Sequence, residues 1–179
     1  MDATFIADPR MAGIGLLIAR LVLGPLMAAH GTQKLFGWFG GYGLHTTGEF
    51  FVQLGFSRGR AFATAASVGE VASGLLVTLG FLGPVGPALM IAIMLVAAIS
   101  VHWEHGIFAT TNGIEVPLLY ATGAFGLALT GYGPYSLDSL LGIASVWTPG
   151  ITWAALGVGV VGGIVNLVAR RRPTTARGA

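Results

Sequence analysis

The chain has 179 residues, of which 54% are hydrophobic and only 9% are charged, against roughly 25% charged in an ordinary soluble domain. Nine basic and seven acidic side chains are too few to cover the surface of a water-soluble domain of this size, so that class is excluded. The lack of cysteine excludes Cys-ligated zinc and protein-bound iron–sulfur clusters. A formal net charge of +2 does not indicate nucleic-acid binding. The composition therefore indicates an integral membrane protein in contact with a lipid bilayer.

Long apolar stretches recur along the chain, and each approaches the length of about 20 residues that a helix needs to cross a bilayer. The stretches are continuous, whereas strands of a membrane barrel alternate in polarity. We therefore predict an all-α integral membrane protein with spans at residues 11–35, 59–82, 85–101, 115–131 and 149–169. Glycines and aromatic residues at 36–43 and the segment 44–57 predict a turn and a short interfacial helix after the first span.

Two ionisable residues of opposite sign lie inside the first two spans. Arg20 is in the first span and Glu70 in the second, which runs antiparallel to the first. Ionisable residues in a membrane face the bundle interior and find partners, so we predict an Arg20–Glu70 ion pair in the core. Small and polar residues share one helical face with each of them, which predicts close packing of the two helices. These are Gly13, Gly24, Met27, His30, Gly31 and Lys34 in the first span and Ala63, Ala66, Ser67, Ser73 and Gly74 in the second.

The other unusual polar residues lie near one side of the membrane under the five-span topology. Together with Glu70 they predict a pocket for a polar ring with an apolar tail, such as a quinone. The predicted catalytic residues are His30, His102 and Glu70, and the predicted quinone-binding residues are Arg20, Lys34, Trp38, Glu104 and Glu115. His105 and Trp103 border the same region.

Simpler alternatives exist for each of these features. Arg20 and Glu70 can be a purely structural staple, and His30 and His102 can bind backbone carbonyls at helix ends. Ligation of haem by two histidines is geometrically conceivable, but nothing else in the sequence favours haem. A metal site at His102, Glu104 and His105 lacks a recognised ligand spacing, so no metal is predicted. The pair Gly159 and Gly163 can serve either internal packing or a homo-oligomer.

Several of these residues form motifs that resemble the DoxX family of small bacterial membrane proteins. The segments LIARLVLG at 17–24 and HGTQKLFGWFGG at 30–41 are similar to the family's first-helix signature. Further similarities follow in order at Gly69-Glu70, at 101–102, at 112–115 and at 133–138. The resemblance implies a four-helix membrane bundle over residues 11–138, to which residues 149–172 add a C-terminal membrane helix with a basic end.

The resemblance also implies a location and a set of partners. Some members of the family are associated with sulfur or oxidative-stress redox chemistry, which implies an oxidoreductase or sulfurtransferase subunit as a partner. The implied location is the bacterial inner membrane.

The orientation follows from the basic residues under the five-span topology. Arg10 falls on one side, and the other basic residues, apart from the intramembrane Arg20, fall on the opposite side. The positive-inside rule makes that opposite side cytoplasmic, together with the C-terminus. The basic residues on that side are Lys34, Arg58, Arg60, Arg170, Arg171, Arg172 and Arg177.

Two functional hypotheses follow. In the first, the chain is a quinone-linked subunit of a membrane oxidoreductase that receives electrons from a partner. In the second, it is a non-enzymatic membrane scaffold or a small-solute permease, whose polar residues are structural or line a pathway.

Overall fold

The computed structural model describes residues 8–170, so the predicted basic residues Arg171, Arg172 and Arg177 lie outside the described part. Within that part the chain is helical and contains no strand, which confirms the predicted all-α fold. The helices are α1 (Pro9–Phe36), α2 (Gly43–Gln53), α3 (Gly59–Leu79), α4 (Val85–Ala97), α5 (Glu115–Thr130), α6 (Leu137–Leu140) and α7 (Pro149–Ala169).

The ends of the long helices follow from local sequence. The Asp8 carboxylate accepts a hydrogen bond from the backbone N–H of Arg10, and Pro9 occupies the first turn of α1. At the start of α7, the Thr148 hydroxyl oxygen accepts a hydrogen bond from the backbone N–H of Ile151, and Pro149 occupies the first turn. Both arrangements suit a helix start, where the first backbone N–H groups have no helical partner, so a proline there costs no hydrogen bond. Gly80 ends α3 in the left-handed conformation that glycine adopts without strain.

Four helical segments of the described part are long and apolar enough to cross a membrane: Pro9–Phe36, Gly59–Leu79, Val85–His105 and Pro149–Ala169. They confirm four of the predicted spans. The span predicted at 115–131 forms α5, whose 16 residues reach about 24 Å. This length is less than a hydrocarbon core of about 30 Å, although α5 matches the predicted span to within one residue and takes its place in the bundle.

The helices α1, α3, α4 and α5 form a closed ring, in which each packs against the next and α5 returns to α1. The shared core contains side chains from all four helices and from the segment after α5: Met27, Val77, Met90, Met94, Tyr120, Ala124, Leu127 and Tyr132. Helix α7 packs outside the ring, mainly on α4, and α2 packs on α3. This arrangement is the expected four-helix bundle with one additional C-terminal helix.

A close helix contact joins α1 to α3 through glycines. A Cβ atom on Gly24 would lie 2.6 Å from the Gly74 carbonyl oxygen, and one on Gly31 would lie 2.5 Å from the Ser67 carbonyl oxygen. Small residues are the usual means by which membrane helices approach backbone to backbone. The predicted packing of these two faces is confirmed, and the contacts fix how the two helices align along their length.

The bundle has two chemically different ends. The end called here the Arg20 end contains the start of α1, the turn between α3 and α4, and residues 131–148. The opposite end, called the Lys34 end, contains the end of α1, α2 and the segment after α4. Among described residues, Arg10 belongs to the first end, and Lys34, Arg58, Arg60 and Arg170 belong to the second. This separation agrees with the basic-residue distribution on which the predicted orientation depends.

The α1–α3 contact gives a matched pair of substitutions. Gly24→Ala places a methyl group against backbone of α3, whereas Gly15→Ala places one where no atom lies within 4 Å. Overpacking costs about 1–3 kcal/mol, while alanine is a better helix former than glycine. We expect Gly24→Ala to lower the unfolding temperature in detergent and Gly15→Ala to leave it unchanged or raise it. Equal unfolding temperatures would contradict the close contact.

Candidate functional site

An elongated cleft of about 750 Å³ lies between α3 and α7, with α4 as its floor and α2 covering part of it at the Lys34 end. Its walls are mostly apolar side chains, including Phe50, Phe51 and Leu54 at the α2 side. The polar side chains that line it are Lys34, Thr47, Glu70, Ser100, His102 and Asn166. The cleft therefore brings three of the predicted site residues together: Lys34, Glu70 and His102.

A buried ion pair forms the innermost polar feature of this cleft. The Lys34 ammonium donates a hydrogen bond to Oε1 of Glu70. The Glu70 side chain is only 1% exposed, while that of Lys34 is 34% exposed. The second carboxylate oxygen, Oε2, is buried and has no hydrogen-bond partner among the residues described. Glu70 thus keeps one acceptor position available beside the cleft.

The predicted Arg20–Glu70 ion pair is wrong, and the alignment of α1 with α3 explains why. A Cβ atom on Gly80 would lie 2.8 Å from the Arg20 guanidinium, so Arg20 sits across from Gly80. Gly80 is ten residues beyond Glu70 in the sequence, which is about 15 Å along a helix. The acidic partner that sequence reasoning gave to Arg20 belongs instead to Lys34, near the other end of α1.

The Arg20 guanidinium is hydrogen-bonded to backbone carbonyl groups. The residue is 2% exposed and donates hydrogen bonds to the carbonyl oxygens of Tyr132 at 2.7 Å, Tyr135 at 2.9 Å and Thr78 at 3.3 Å. The guanidinium carbon also lies 5.6 Å from the centre of the Tyr132 ring, a distance at which cation–π attraction operates. Arg20 therefore fastens the segment after α5 to α1 and α3, and it does not line the cleft.

Polar groups continue along the cleft from Glu70 towards the Lys34 end. Helix contacts place Gly69 opposite Ile93, and Gly163 beside Ala92, so Glu70 is near the middle of the Val85–His105 segment. The polar residues Asn166, Ser100 and His102 follow at successive levels towards the end of that segment. The Ser100 hydroxyl oxygen is buried and finds no partner within residues 8–170.

A π-helical turn, Ala98–His102, extends α4 and carries two of these residues. Such turns are rare and occur frequently at functional sites because they re-aim side chains. Nδ1 of His102 lies 2.7 Å from the Asn112 carbonyl oxygen, and a carbonyl only accepts. Nδ1 therefore donates, which leaves Nε2 as the acceptor of the neutral ring. The histidine is oriented by the following loop and keeps a nitrogen for other chemistry.

The structure places the other predicted site residues outside the cleft. His30 is exposed on α1, with its ring 5.8 Å from that of Tyr120. Trp38 is 57% exposed and packs against Phe36 and Phe39. These positions correct the sequence-based expectation that His30 faces the bundle interior.

The two predicted acidic site residues beyond α4 also lie outside the cleft. Glu104 is exposed in the turn that follows the π-helix. The Glu115 carboxylate accepts a hydrogen bond from the backbone N–H of Ala109 at 2.7 Å and so closes the loop before α5. Predicted binding roles for Glu104 and Glu115 therefore have no geometric support from the cleft.

The histidines near the end of α4 are engaged with backbone. Nδ1 of His105 lies 3.0 Å from the Val101 carbonyl oxygen, and His102 binds Asn112 as described. Within residues 8–170, no group of three or more His, Asp or Glu side chains is arranged to hold a metal ion.

The small-residue pair Gly159 and Gly163 packs internally, against the backbone of Ala88 and Ala92.

Three polar residues of the cleft, Thr47, Ser100 and Asn166, were missed by sequence reasoning. Asn166 is a polar residue within the otherwise apolar α7, where its amide donates to the Gly162 carbonyl oxygen. An amide inside a membrane span is a recognisable signal and could have been used. Ser100 carried no such signal, since a serine near a helix end is ordinary and only the π-helical turn gives it meaning.

The Lys34–Glu70 pair predicts an asymmetric response to substitution. Lys34→Met leaves a fully buried carboxylate unpaired, which costs about 3 kcal/mol or more. Glu70→Gln leaves an ammonium near a helix end that can extend towards the interface, at a smaller cost. We expect the thermal stability in detergent to fall most for Lys34→Met, less for Glu70→Gln, and to recover in the double variant. A double variant no better than Lys34→Met would contradict the pairing.

Arg20 offers a second prediction, at the opposite end. Arg20→Lys keeps the positive charge but cannot hold three separate carbonyl groups, because the ammonium lacks the planar fork of donors. We expect Arg20→Lys to destabilise the protein and to increase hydrogen exchange selectively at residues 131–138, measured by mass spectrometry. Unchanged hydrogen exchange in that segment, together with loss of protection around Glu70, would contradict this structural role.

Comparison with known proteins agrees with this architecture. The family model described as DoxX matches residues 15–103, which run from α1 through the π-helical turn of α4 and include Arg20, Lys34, Glu70 and His102. No curated protein and no solved structure matches the chain. The family match, the helical bundle and the apolar helices of membrane-spanning length together show that the chain is a multi-pass membrane protein with a DoxX domain at residues 15–103.

Proposed function

We propose that the cleft binds a quinone and that the chain acts as a quinone-linked subunit of a membrane oxidoreductase. The observation that carries this proposal is the buried Glu70 carboxylate, paired to Lys34 on one oxygen and unpartnered on the other, beside a long apolar cleft. Buried polar groups are normally satisfied. A free carboxylate oxygen at this place therefore favours a ligand that brings its own hydrogen-bonding group.

The distribution of residues along the cleft suits an amphipathic ligand. Polar groups occupy its middle and the Lys34 end, from Glu70 to His102. Towards the Arg20 end the lining is apolar, from Val85, Ala88 and Leu89 on α4 and Ala155 and Val158 on α7. A polar ring would lie near Glu70 and Lys34, and an isoprenoid tail would follow the apolar half, where burial of each CH₂ contributes about 0.8 kcal/mol.

The donors and acceptors match the two states of such a ring. The Lys34 ammonium can donate to a carbonyl oxygen, and the Ser100 hydroxyl can donate or accept. The free oxygen of Glu70 can accept from a hydroxyl group. Lys34 and Glu70 would therefore hold and orient the ring in either state, which is what a site for reversible redox chemistry requires.

A bound quinone would supply two-electron, two-proton chemistry, and the chain's own residues would handle the protons. Glu70 and His102 can each hold and release one proton, and Asn166 and Ser100 lie at levels between them along the cleft. Two electrons would have to come from a partner oxidoreductase or sulfurtransferase subunit, or from a bound reductant.

The proposal is tested by the quinone content of purified protein. Protein expressed in a quinone-producing bacterium is purified in mild detergent, extracted with organic solvent, and analysed by absorbance and mass spectrometry. We expect wild-type protein to retain quinone and Glu70→Gln to retain several-fold less, because the free acceptor and its paired charge are both lost. Glu49→Gln is the matched control, since Glu49 is exposed on α2.

Quinone retention can also change because a variant folds poorly. For this reason Lys34→Met/Glu70→Gln, which lacks both charges, is measured beside the single variant under conditions where both give monodisperse protein. Equal retention by wild type and Glu70→Gln overturns the assignment of the site. No quinone in wild-type protein, even after reconstitution into discs that contain quinone, favours the scaffold or permease instead.

A further inference from the structure

A second cavity, of about 520 Å³, lies at the Arg20 end of the bundle. It is bordered by the turn before α4, the end of α5, residues 131–147 and the start of α7. Its lining differs from that of the cleft because it combines aromatic rings, Tyr132, Trp147 and Trp153, with hydroxyl groups such as that of Thr152. Its volume is within the range of small-molecule pockets, roughly 300–1,000 Å³.

Two residues that line this cavity carry buried donors without partners in the described part of the chain. The Tyr132 hydroxyl and the Trp147 indole N–H are both buried and make no hydrogen bond to any residue in the described range 8–170. Tyr132 is 5% exposed, and burial raises the pKa of its phenol, an effect that nearby Asp138 strengthens and Arg20 opposes. The phenol therefore stays protonated and able to donate. An indole N–H can only donate.

Both donors are fixed in place by their surroundings. The Tyr132 ring lies over the Arg20 guanidinium, and its carbonyl is held by the same side chain. The Trp147 ring packs directly on Gly83, where a Cβ atom would collide with it. Gly83 in turn donates its N–H to the Asp138 carboxylate at 2.7 Å. The two donors are therefore held by an interlocked set of contacts that includes Arg20 and Asp138.

The electrostatics of the cavity favour an uncharged ligand. Asp138 is the one charged side chain that lines it within the described part of the chain, and its oxygens already accept from the N–H groups of Leu82 and Gly83. The carboxylate would repel an anion. The first turn of α7, which borders the cavity, presents the positive end of a helix dipole and so favours an oxygen with partial negative charge over a cation.

From these observations we infer that this cavity is a binding site for an uncharged, partly aromatic or apolar molecule that carries a hydrogen-bond-accepting oxygen, such as a carbonyl group. The oxygen accepts from Tyr132 and Trp147, and the apolar body packs against Trp153 and the prolines Pro84 and Pro149. Two sources can present this chemistry at the end of a membrane bundle. One is the ester carbonyl of a membrane lipid, and the other is a small carbonyl compound from solution.

The test uses 4′-fluoroacetophenone as the probe and ¹⁹F NMR titration of the full chain in lipid nanodiscs. The comparison probes are 1-ethyl-4-fluorobenzene, which lacks the carbonyl, and 4-fluorobenzoate, which is charged. We expect the ketone to bind wild-type protein most tightly. Trp147→Phe and Tyr132→Phe should each weaken ketone binding about fivefold to tenfold, as loss of one buried hydrogen bond does, without changing binding of the hydrocarbon probe.

Trp103→Phe is the matched control, because Trp103 is exposed near the Lys34 end and its loss should not alter ketone binding. Tyr132→Phe keeps the ring over Arg20, so its unfolding temperature should not fall, and Trp147→Phe provides an independent second donor. The inference is overturned if ketone and hydrocarbon bind equally, if both donor variants bind the ketone as wild type does, or if 4-fluorobenzoate binds as tightly as the ketone.

The lipid of the nanodisc distinguishes the two sources. If the ester carbonyl of a lipid occupies the cavity, the ketone competes with it, and its apparent affinity should be lower in diester lipid than in diether lipid. If the occupant is a small carbonyl compound from solution, the affinity should be the same in both lipids. Either result supports the site, provided that the donor variants weaken ketone binding in the diether lipid.

Discussion

The close backbone contact between α1 and α3 determines where every polar group of this protein lies along the membrane axis. Gly24 and Gly31 admit no side chain at the interface, so the two helices cannot slide past one another without a collision. That alignment puts Arg20 level with the end of α3 and puts Lys34 within reach of Glu70. Burial of charge in a membrane protein demands a partner, and here the helix alignment selects the partner.

The same alignment separates two kinds of chemistry. At the Arg20 end, both buried charges bind backbone groups. Arg20 donates hydrogen bonds to carbonyl oxygens, and the Asp138 carboxylate accepts hydrogen bonds from N–H groups. These charges hold turns and the segment after α5 in fixed positions. In the cleft, by contrast, the Glu70 carboxylate is paired on one oxygen only. The charges of Arg20 and Asp138 thus stabilise the fold, while the Glu70 carboxylate keeps one oxygen without a partner among the described residues.

Sequence reasoning predicted the helical fold, the packed faces of α1 and α3, and the burial of Glu70 in the bundle, because apolar length and small-residue spacing are local properties. It failed on the partner of Glu70, since counting residues from approximate helix ends cannot resolve an offset of about 15 Å between antiparallel helices. It also grouped His30 with His102, although His30 is exposed and His102 lines the cleft. The unpartnered donors Tyr132 and Trp147 could not be predicted, because only tertiary packing decides whether a donor finds an acceptor.

Helix α7 gives the cleft its depth. The family match ends at residue 103, so the matched part supplies Lys34, Glu70 and His102 but not the wall opposite α3. That wall comes from α7, whose glycines Gly159 and Gly163 let it lie directly on the backbone of α4. A bulkier contact would move α7 outward and turn the cleft into a shallow groove open to lipid. Most polar residues of the cleft therefore belong to the matched part of the chain, whereas the enclosure of the cleft depends on the C-terminal helix, which also contributes Asn166.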